Sequence, residues 1–430
     1  MAQRRPLKTV ADASRDLISE LPVEVMDRIL ECLPTRDAAR TAQLSRHWNN
    51  VWLQHGRLAF DWEFLLTVQE CQDDYGRALM NIINNILFSR AWPVKKFTLQ
   101  ISCADPKPRQ YDVDRWCRFL STNGVEEQNI SLYKYLEPKY QLPFCLLSCS
   151  IIKQLIVQGP FIDFPVNACD IFSNVTSLAF LHVEFKHSVD GIASSISIPK
   201  LEKLAFEHCI GISEFEISPP KLAILSVIGS MYGLVEWTRW LAPHLKTIKS
   251  LWLCGSSLSC MDASTFPIAI NLQVMKLYDL NFGCWKQLAF VMQLLTKCPN
   301  LCELHVMVNK GWEDDDKKAA SRLLEDPDGC LAIQELKIQM LNTIQIESFN
   351  GSAFEMFFMK LLLSKFPALE RVVIMKRWDM NASKVRKIQR KLECFPRVSP
   401  NAQIVCPDNY YEPMHKDWLD THGFRLIHPY

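Results

Sequence analysis

LPVEVMDRILECLPTRDAARTAQLSRHWNNVW, residues 21–52, holds two Leu-Pro pairs, a close apolar rhythm and two tryptophans, but no group suited to catalysis. Leu17, Leu21, Val25, Ile29 and Leu33 recur at i, i+4 with Ile18, Met26 and Leu30 beside them, the stripe of a helix with a wide apolar face. Pro22 suits that helix's first turn, where a missing N–H costs nothing, and Ser19 is a cap residue type just upstream. Pro34 stops the helix, because the residue before a proline is pushed out of the α region. A second short helix is predicted over 37–43, and a third from the N-cap Ser45, carrying Trp48, Val51 and Trp52 at one-turn spacing. Three short helices enclose one another only in part. Some of their Leu, Ile and Trp side chains are therefore expected in solvent, as an apolar patch rimmed by charge of the kind that marks a protein interface.

The order Leu-Pro, Ile-Leu, Leu-Pro, Leu-Ser, Trp across residues 15–60 resembles an F-box, the module by which substrate receptors dock onto the Skp-type adaptor of a cullin-RING ubiquitin ligase. The resemblance implies that Leu21, Pro22, Ile29, Leu30, Leu33, Pro34, Leu44 and Trp48 face the adaptor or form the small core behind that face. Ala38 and Ala42 stand where many F-boxes carry a larger apolar residue, which weakens packing without spoiling the pattern. The competing reading makes these helices a structural cap on the next domain.

Beyond residue 94 the chain changes character. Segments of the form L-x-x-L-x-L recur at 151, 175, 201, 222, 248, 272, 301, 333 and 369, at intervals of 21 to 36 residues, with the fourth and sixth positions always apolar. Alternation with period two predicts short strands with one buried face, and repetition at this length predicts a stacked solenoid of leucine-rich-repeat type. A strand and its return segment cannot bury their apolar face alone, so neighbours complete the core. A weaker pair, VKKFTL at 94 and VEEQNI at 125, starts the array, and YDVDRWCRFL between them reads as a helix with Val113, Trp116 and Leu120 on one face. Near the far end, FEMFFMKLLLSKFPALERVVIMK reads as a helix running into a strand, and NASKVRKIQRKLECFP as an amphipathic helix. With SPNAQIV, this region resembles the C-terminal FBD element of plant F-box proteins of the leucine-rich-repeat type.

The fold expected is therefore mixed α/β: a flexible stretch over 1–14, a three-helix F-box over 15–60, an irregular solenoid with parallel strands on its concave face over 61–330, an FBD-like cap with the last repeats over 331–405, and a tail over 406–430. Among 430 residues, 48% are hydrophobic and 22% charged, as in a globular protein, and the net charge of +1 gives no overall pull toward nucleic acid or membrane. No secretory signal or membrane-spanning run is read from the sequence. The 16 cysteines lack metal-binding pairs and sit mostly in apolar runs, so they are expected as reduced core thiols of a cytoplasmic or nuclear protein.

No phosphate loop, nucleophile elbow or zinc helix is present in the sequence, and catalytic residues, metal and cofactor are all expected to be none. His182 and Glu184 form an H-x-E without the cysteine pair that a zinc deaminase needs. The basic run Lys384, Arg386, Lys387, Arg390 and Lys391 fits a solvated helix face. If the fourth and sixth positions point inward, the third, fifth and seventh stand on the concave face, where Trp252, Lys276, Tyr278, Glu303, His305 and Lys337 are the candidate substrate-binding residues. The function expected is that of the substrate-recognition subunit of a Skp-cullin-F-box ubiquitin ligase. Its expected partners are a Skp-type adaptor, through it a cullin, and a target protein. Two alternatives are a non-ligase repeat scaffold, and a receptor gated by a small acidic molecule meeting Lys203, Lys276 and Lys337.

Overall fold

A computed structural model describes residues 17–69, 74–90, 92–101, 108–132, 139–164, 171–186, 194–211, 215–229, 243–258, 266–309, 340–377 and 380–407. They divide into two compact units, the first taking in the described residues up to 132 with 143–146, the second the remainder.

The first unit opens with three helices, α1 (Val23–Glu31), α2 (Thr35–Thr41) and α3 (Arg46–Gln54). Pro22 is the N-cap of α1, not part of its first turn, with φ −55° and ψ 144° and no side-chain cap; Ser19 does not cap this helix, and its hydroxyl instead donates to Ser45 Oγ at 3.0 Å. The apolar rhythm of Leu17 and Leu21 therefore runs through a turn before the helix begins. Pro34 likewise becomes the N-cap of α2, which starts two residues ahead of the expected helix, while Ser45 caps α3 as expected by accepting Trp48 N–H at 3.2 Å. β1 (Arg57–Phe60), α4 (Trp62–Gln69), α5 (Tyr75–Phe88), β2 (Lys96–Ile101), α6 (Gln110–Thr122) and β3 (Glu127–Leu132) come next, with β1, β2 and β3 paired in parallel. α6 is the helix read from Val113, Trp116 and Leu120, all three buried, and Trp116 Nε1 donates to Asn84 Oδ1 at 2.8 Å. A single helical turn, α7 (Phe144–Leu147), completes the described helices up to this point.

The second unit is a parallel ladder in the order β4 (Gln154–Gln158), β6 (Ser177–Leu181), β9 (Lys203–Glu207), β11 (Ile224–Ile228), β12 (Ser250–Cys254), β13 (Val274–Leu280), β14 (Glu303–Val308), β15 (Thr343–Phe349), β16 (Arg371–Lys376) and β17 (Gln403–Val405). Two short parallel pairs flank it: β5 (Phe161–Asp163) with β7 (Glu184–Lys186), and β8 (Ser194–Ser197) with β10 (Phe215–Ser218). Among the described residues the helices here are the single turn α8 (Gly255–Leu258), α9 (Trp285–Thr296), α10 (Ala353–Lys365) and α11 (Ala382–Glu393).

Stacking is written into the backbone. At the start of each strand one carbonyl accepts two successive N–H groups of the next repeat: Lys153 takes 176 and 177, Thr176 takes 202 and 203, Glu202 takes 223 and 224, and Ala223 takes 249 and 250. Asn174, Asn271 and Asn300 reinforce this rung, each donating its amide to a carbonyl of the preceding repeat, Ser150 O, Lys246 O and Ile270 O, at 2.6, 2.5 and 2.8 Å. The fourth and sixth positions, from Leu155 and Val157 to Val372 and Ile374, are at most 3% exposed in every described repeat. Filling these places with Leu, Ile, Val, Met and Phe supplies most of the driving force, about 1.5–3 kcal/mol for each side chain buried.

One repeat differs from expectation. β14 pairs directly with β15, Leu304 facing Ile344 and Val306 facing Ile346. The strand in this place is thus TIQIESF at 343–349, whereas IQELKI at 333 lies outside the described residues, as do the charged insertion at 311 and nearly all of the tail.

Candidate functional site

The helices of the F-box segment sort their apolar residues onto two sides. Met26, Leu30, Ala38, Trp48, Val51 and Trp52 are buried, whereas Leu17, Ile18, Val23, Val25, Ile29 and Leu44 are exposed, Leu44 by 64%. Of the residues singled out in the sequence, Ile29, Leu44, Pro22 and Pro34 are therefore at the surface, Leu21 and Leu33 are partly covered, and Leu30 and Trp48 form the core beneath. Exposed large apolar side chains are thus concentrated in one short stretch of sequence, residues 17–44.

Polar contacts fix these helices to the rest of the first unit. Thr35 Oγ1 accepts Ala59 N–H at 2.8 Å, the buried His55 sets Nδ1 2.6 Å from the Asp27 carboxylate, and the Arg57 guanidinium donates to Glu31 O. Arg90, at the end of α5, reaches under the C-terminus of α3: Nη1 donates to His55 O at 2.7 Å and Nη2 to Trp52 O at 3.1 Å, and the guanidinium lies 4.5 Å from the Trp52 ring centroid. Burial pulls its pKa down to about 10, still well above neutrality, so it stays a cation. A cation at a helix C-terminus satisfies carbonyls left without intrahelical partners and opposes the helix dipole.

On the repeat sheet the register sets Ile156, Ala179, Ala205, Ser226, Trp252, Lys276, His305 and Gln345 side by side in one row on the face opposite the solenoid interior. This face was expected to display aromatic residues. Instead Trp252 and Tyr278 are 0% and 1% exposed, members of a second apolar cluster with Ile156, Ala179, Leu181, Ala205, Ile228 and Cys254. They are thus not surface contacts, because both rings are packed within that cluster. Trp252 Nε1 donates to Ser250 Oγ at 2.9 Å, and its ring carries Lys276 Nζ 4.0 Å from the centroid.

Beyond Trp252 the row turns polar. His305 Nε2 is 3.3 Å from the Glu303 carboxylate, whose side chain is half exposed, and Gln345 donates to Glu347 at 2.9 Å. Burial first, then the Lys276 charge, holds the His305 pKa below its ordinary value against the pull of Glu303. Lys276, Glu303 and His305 lie together on adjacent strands, and Lys337 lies outside the described residues. Glu347, buried beside them, was missed because its strand was overlooked; its place in I-E after Ile346 was the available signal.

His182 and Glu184 do not form a site together. His182 adopts a left-handed backbone (φ 51°) and stacks on His208 with ring centroids 5.0 Å apart, while Glu184 pairs with Lys139 at 2.6 Å. Burial pushes the Cys209 and Cys298 thiols up to about 12, so both are packed as neutral thiols rather than thiolate nucleophiles or ligands. Among the described residues no His, Cys, Asp and Glu group could hold a metal ion, and no helix is long and apolar enough to cross a membrane.

Residues 18–59 match the F-box domain family. An F-box/FBD/LRR-repeat protein of Arabidopsis thaliana is 26% identical over 436 residues, covering 91% of this chain and 98% of that protein. An F-box/LRR-repeat protein of the same plant is 28% identical over 308 residues, 68% of this chain and 59% of its own length, and F-box/LRR-repeat protein 13 is 22% identical over 457 residues, 91% and 96% respectively. F-box domains generally bind Skp-type adaptors, and F-box proteins with leucine-rich repeats are generally non-catalytic subunits.

Proposed function

We propose that this chain, an F-box protein of the plant FBD and leucine-rich-repeat type, is the target-recognition subunit of a Skp-cullin-F-box ubiquitin ligase. The observation that carries the reading is the split of one short segment into a buried core, Met26, Leu30 and Trp48, and an exposed apolar face, Leu17, Ile18, Val23, Val25, Ile29 and Leu44. On this reading the exposed face meets the adaptor, while the polar end of the repeat row, Lys276, Glu303 and His305, contacts the target. The contribution to ubiquitin transfer is positional. Holding two partners on one body raises the effective concentration of a target lysine at the charged conjugating enzyme, with no bond chemistry by this subunit. Cytoplasm or nucleus, where thiols stay reduced, suits its buried cysteines.

The test is co-purification with a Skp-type adaptor. Ile29→Asp with Leu44→Asp places two charges on the proposed interface and removes no buried group. Capture should fall by at least about 30-fold, the scale of a hot-spot loss of 2 kcal/mol or more, with the melting temperature unchanged. Undiminished capture by the folded double variant would withdraw the docking face, and capture of no adaptor by the unaltered chain would withdraw the ligase reading.

A further inference from the structure

The rung that joins each repeat to the next has a last member. Lys249 O accepts the N–H groups of 273 and 274, Gln273 O those of 302 and 303, Cys302 O those of 342 and 343, and Asn342 O those of 370 and 371. Each acceptor stands immediately before a strand. Ala402 holds that place before β17, the final described strand, which has β16 on one side and no described strand on the other. Its carbonyl is already taken: Arg397 Nη1 donates to Ala402 O at 2.8 Å, while Nη2 reaches Glu393 O at 3.4 Å. The guanidinium stands where the N–H groups of another repeat would come.

The inner edge of β17 is fixed by Gln403, whose N–H goes to Glu370 O at 2.9 Å, in a parallel register that sets Gln403 opposite Arg371 and Val405 opposite Val373. Backbone groups alternate sides along a strand, so Ala402 O and the N–H and C=O of Ile404 point to the outer edge. A groove of about 790 Å3 opens beside this segment, lined in part by Pro400, Asn401, Ala402, Gln403 and Val405. An edge of this kind is a template for a strand of another chain unless something blunts it. β1, at the outer edge of the first unit, is blunted in the complementary way, its Ala59 N–H being accepted by Thr35 Oγ1 at 2.8 Å.

We propose that the β17 edge is a latent interface for a second copy of this chain, and that Arg397 holds it closed by occupying Ala402 O. With Gln403 opposite Gln403 of the second copy in antiparallel register, Ala402 O accepts Ile404 N–H of that copy, and the reverse bond forms equally. Such a pair closes on itself about a two-fold axis. It requires Ala402 O to give up Arg397, and it brings one guanidinium from each copy to the same short edge, where like charges oppose approach. The inference does not rest on the ligase reading, since it concerns neither the F-box face nor the repeat row.

Analytical ultracentrifugation of the full chain over a concentration series tests this. Arg397→Met, an unbranched side chain with no donor, should raise the dimer association constant at least about tenfold over the unaltered chain, equivalent to 1.4 kcal/mol. Adding Ile404→Pro deletes the outward N–H that the pair needs and should return the constant to the unaltered value. If Arg397→Met does not fold, Arg397→Lys, with one ammonium in place of the fork, takes its place and should raise the constant at least about threefold. No increase in the folded variant, or an increase that Ile404→Pro does not reverse, overturns the assignment. So does a dimer of the unaltered chain that Ile404→Pro abolishes, since the guard would then be open.

Discussion

On the F-box helices Ile29 and Leu44 stand in solvent, while on the repeat sheet Trp252 and Tyr278, with larger rings, do not. Both pairs occupy positions that sequence pattern alone would offer to a partner. The difference lies in what their neighbours leave uncovered. α1, α2 and α3 are too short to wrap a second apolar layer around themselves, so free energy from burying that layer is left for association. The repeat row has already committed its aromatic residues to folding: Trp252 and Tyr278 sit 5.7 Å apart within a buried cluster.

Truncation should separate the two regions most sharply. Trp252→Ala is expected to cost about 3–5 kcal/mol of folding stability, read as a lowered denaturant midpoint, whereas Ile29→Ala should cost below about 1 kcal/mol. Equal costs would erase the distinction between a packed and a docking residue.

A smaller effect of opposite sign is expected on β3. Gln128 fills the fourth position, where the later repeats carry an apolar side chain, and is 3% exposed with neither its amide nitrogen nor its amide oxygen hydrogen-bonded. Gln128→Leu removes that desolvation cost and should raise stability by about 1–3 kcal/mol. A melting temperature that drops instead would mean that the site is shaped for the amide.

The smallest effect is on pH dependence. The folded His305 binds its proton at lower pH than the free imidazole, so on acidification the unfolded chain is protonated first. Stability is then unaffected above the ordinary value near 6.5 and declines as pH falls through it. His305→Gln should make that decline shallower between pH 7 and 5 without flattening it, because burial also lowers the pKa of His244. Superimposable profiles would show that His305 contributes nothing to the decline.

Much of this was legible in the residues. The inward register of Leu204 and Phe206 or Leu251 and Leu253 comes from period-two alternation, a property of the strand itself. Which repeat partner β14 chooses is less local: IQELKI at 333 and LNTIQI at 341 fit the same pattern, and only pairing places Ile344 and Ile346 beside Leu304 and Val306. The covering of Trp252 was illegible for a related reason, since orientation is set by a residue's own strand but exposure by what packs over it. At the N-terminus, the apolar stripe continued smoothly through Pro22, yet its extended ψ of 144° separates turn from helix.

Arg90 carries one more consequence, for modularity. The family boundary closes at residue 59, but Arg90, well beyond it, donates to His55 O and adds a second donor to Trp52 O, which already accepts the His55 N–H. In this chain the F-box is not a detachable cassette. A fragment cut at residue 60 would lose the Arg90 donor to His55 O and leave the indole of Trp52 without its covering cation. Grafting this F-box onto another protein therefore requires transplanting the segment through Arg90, and its true end is defined by hydrogen bonds rather than by alignment.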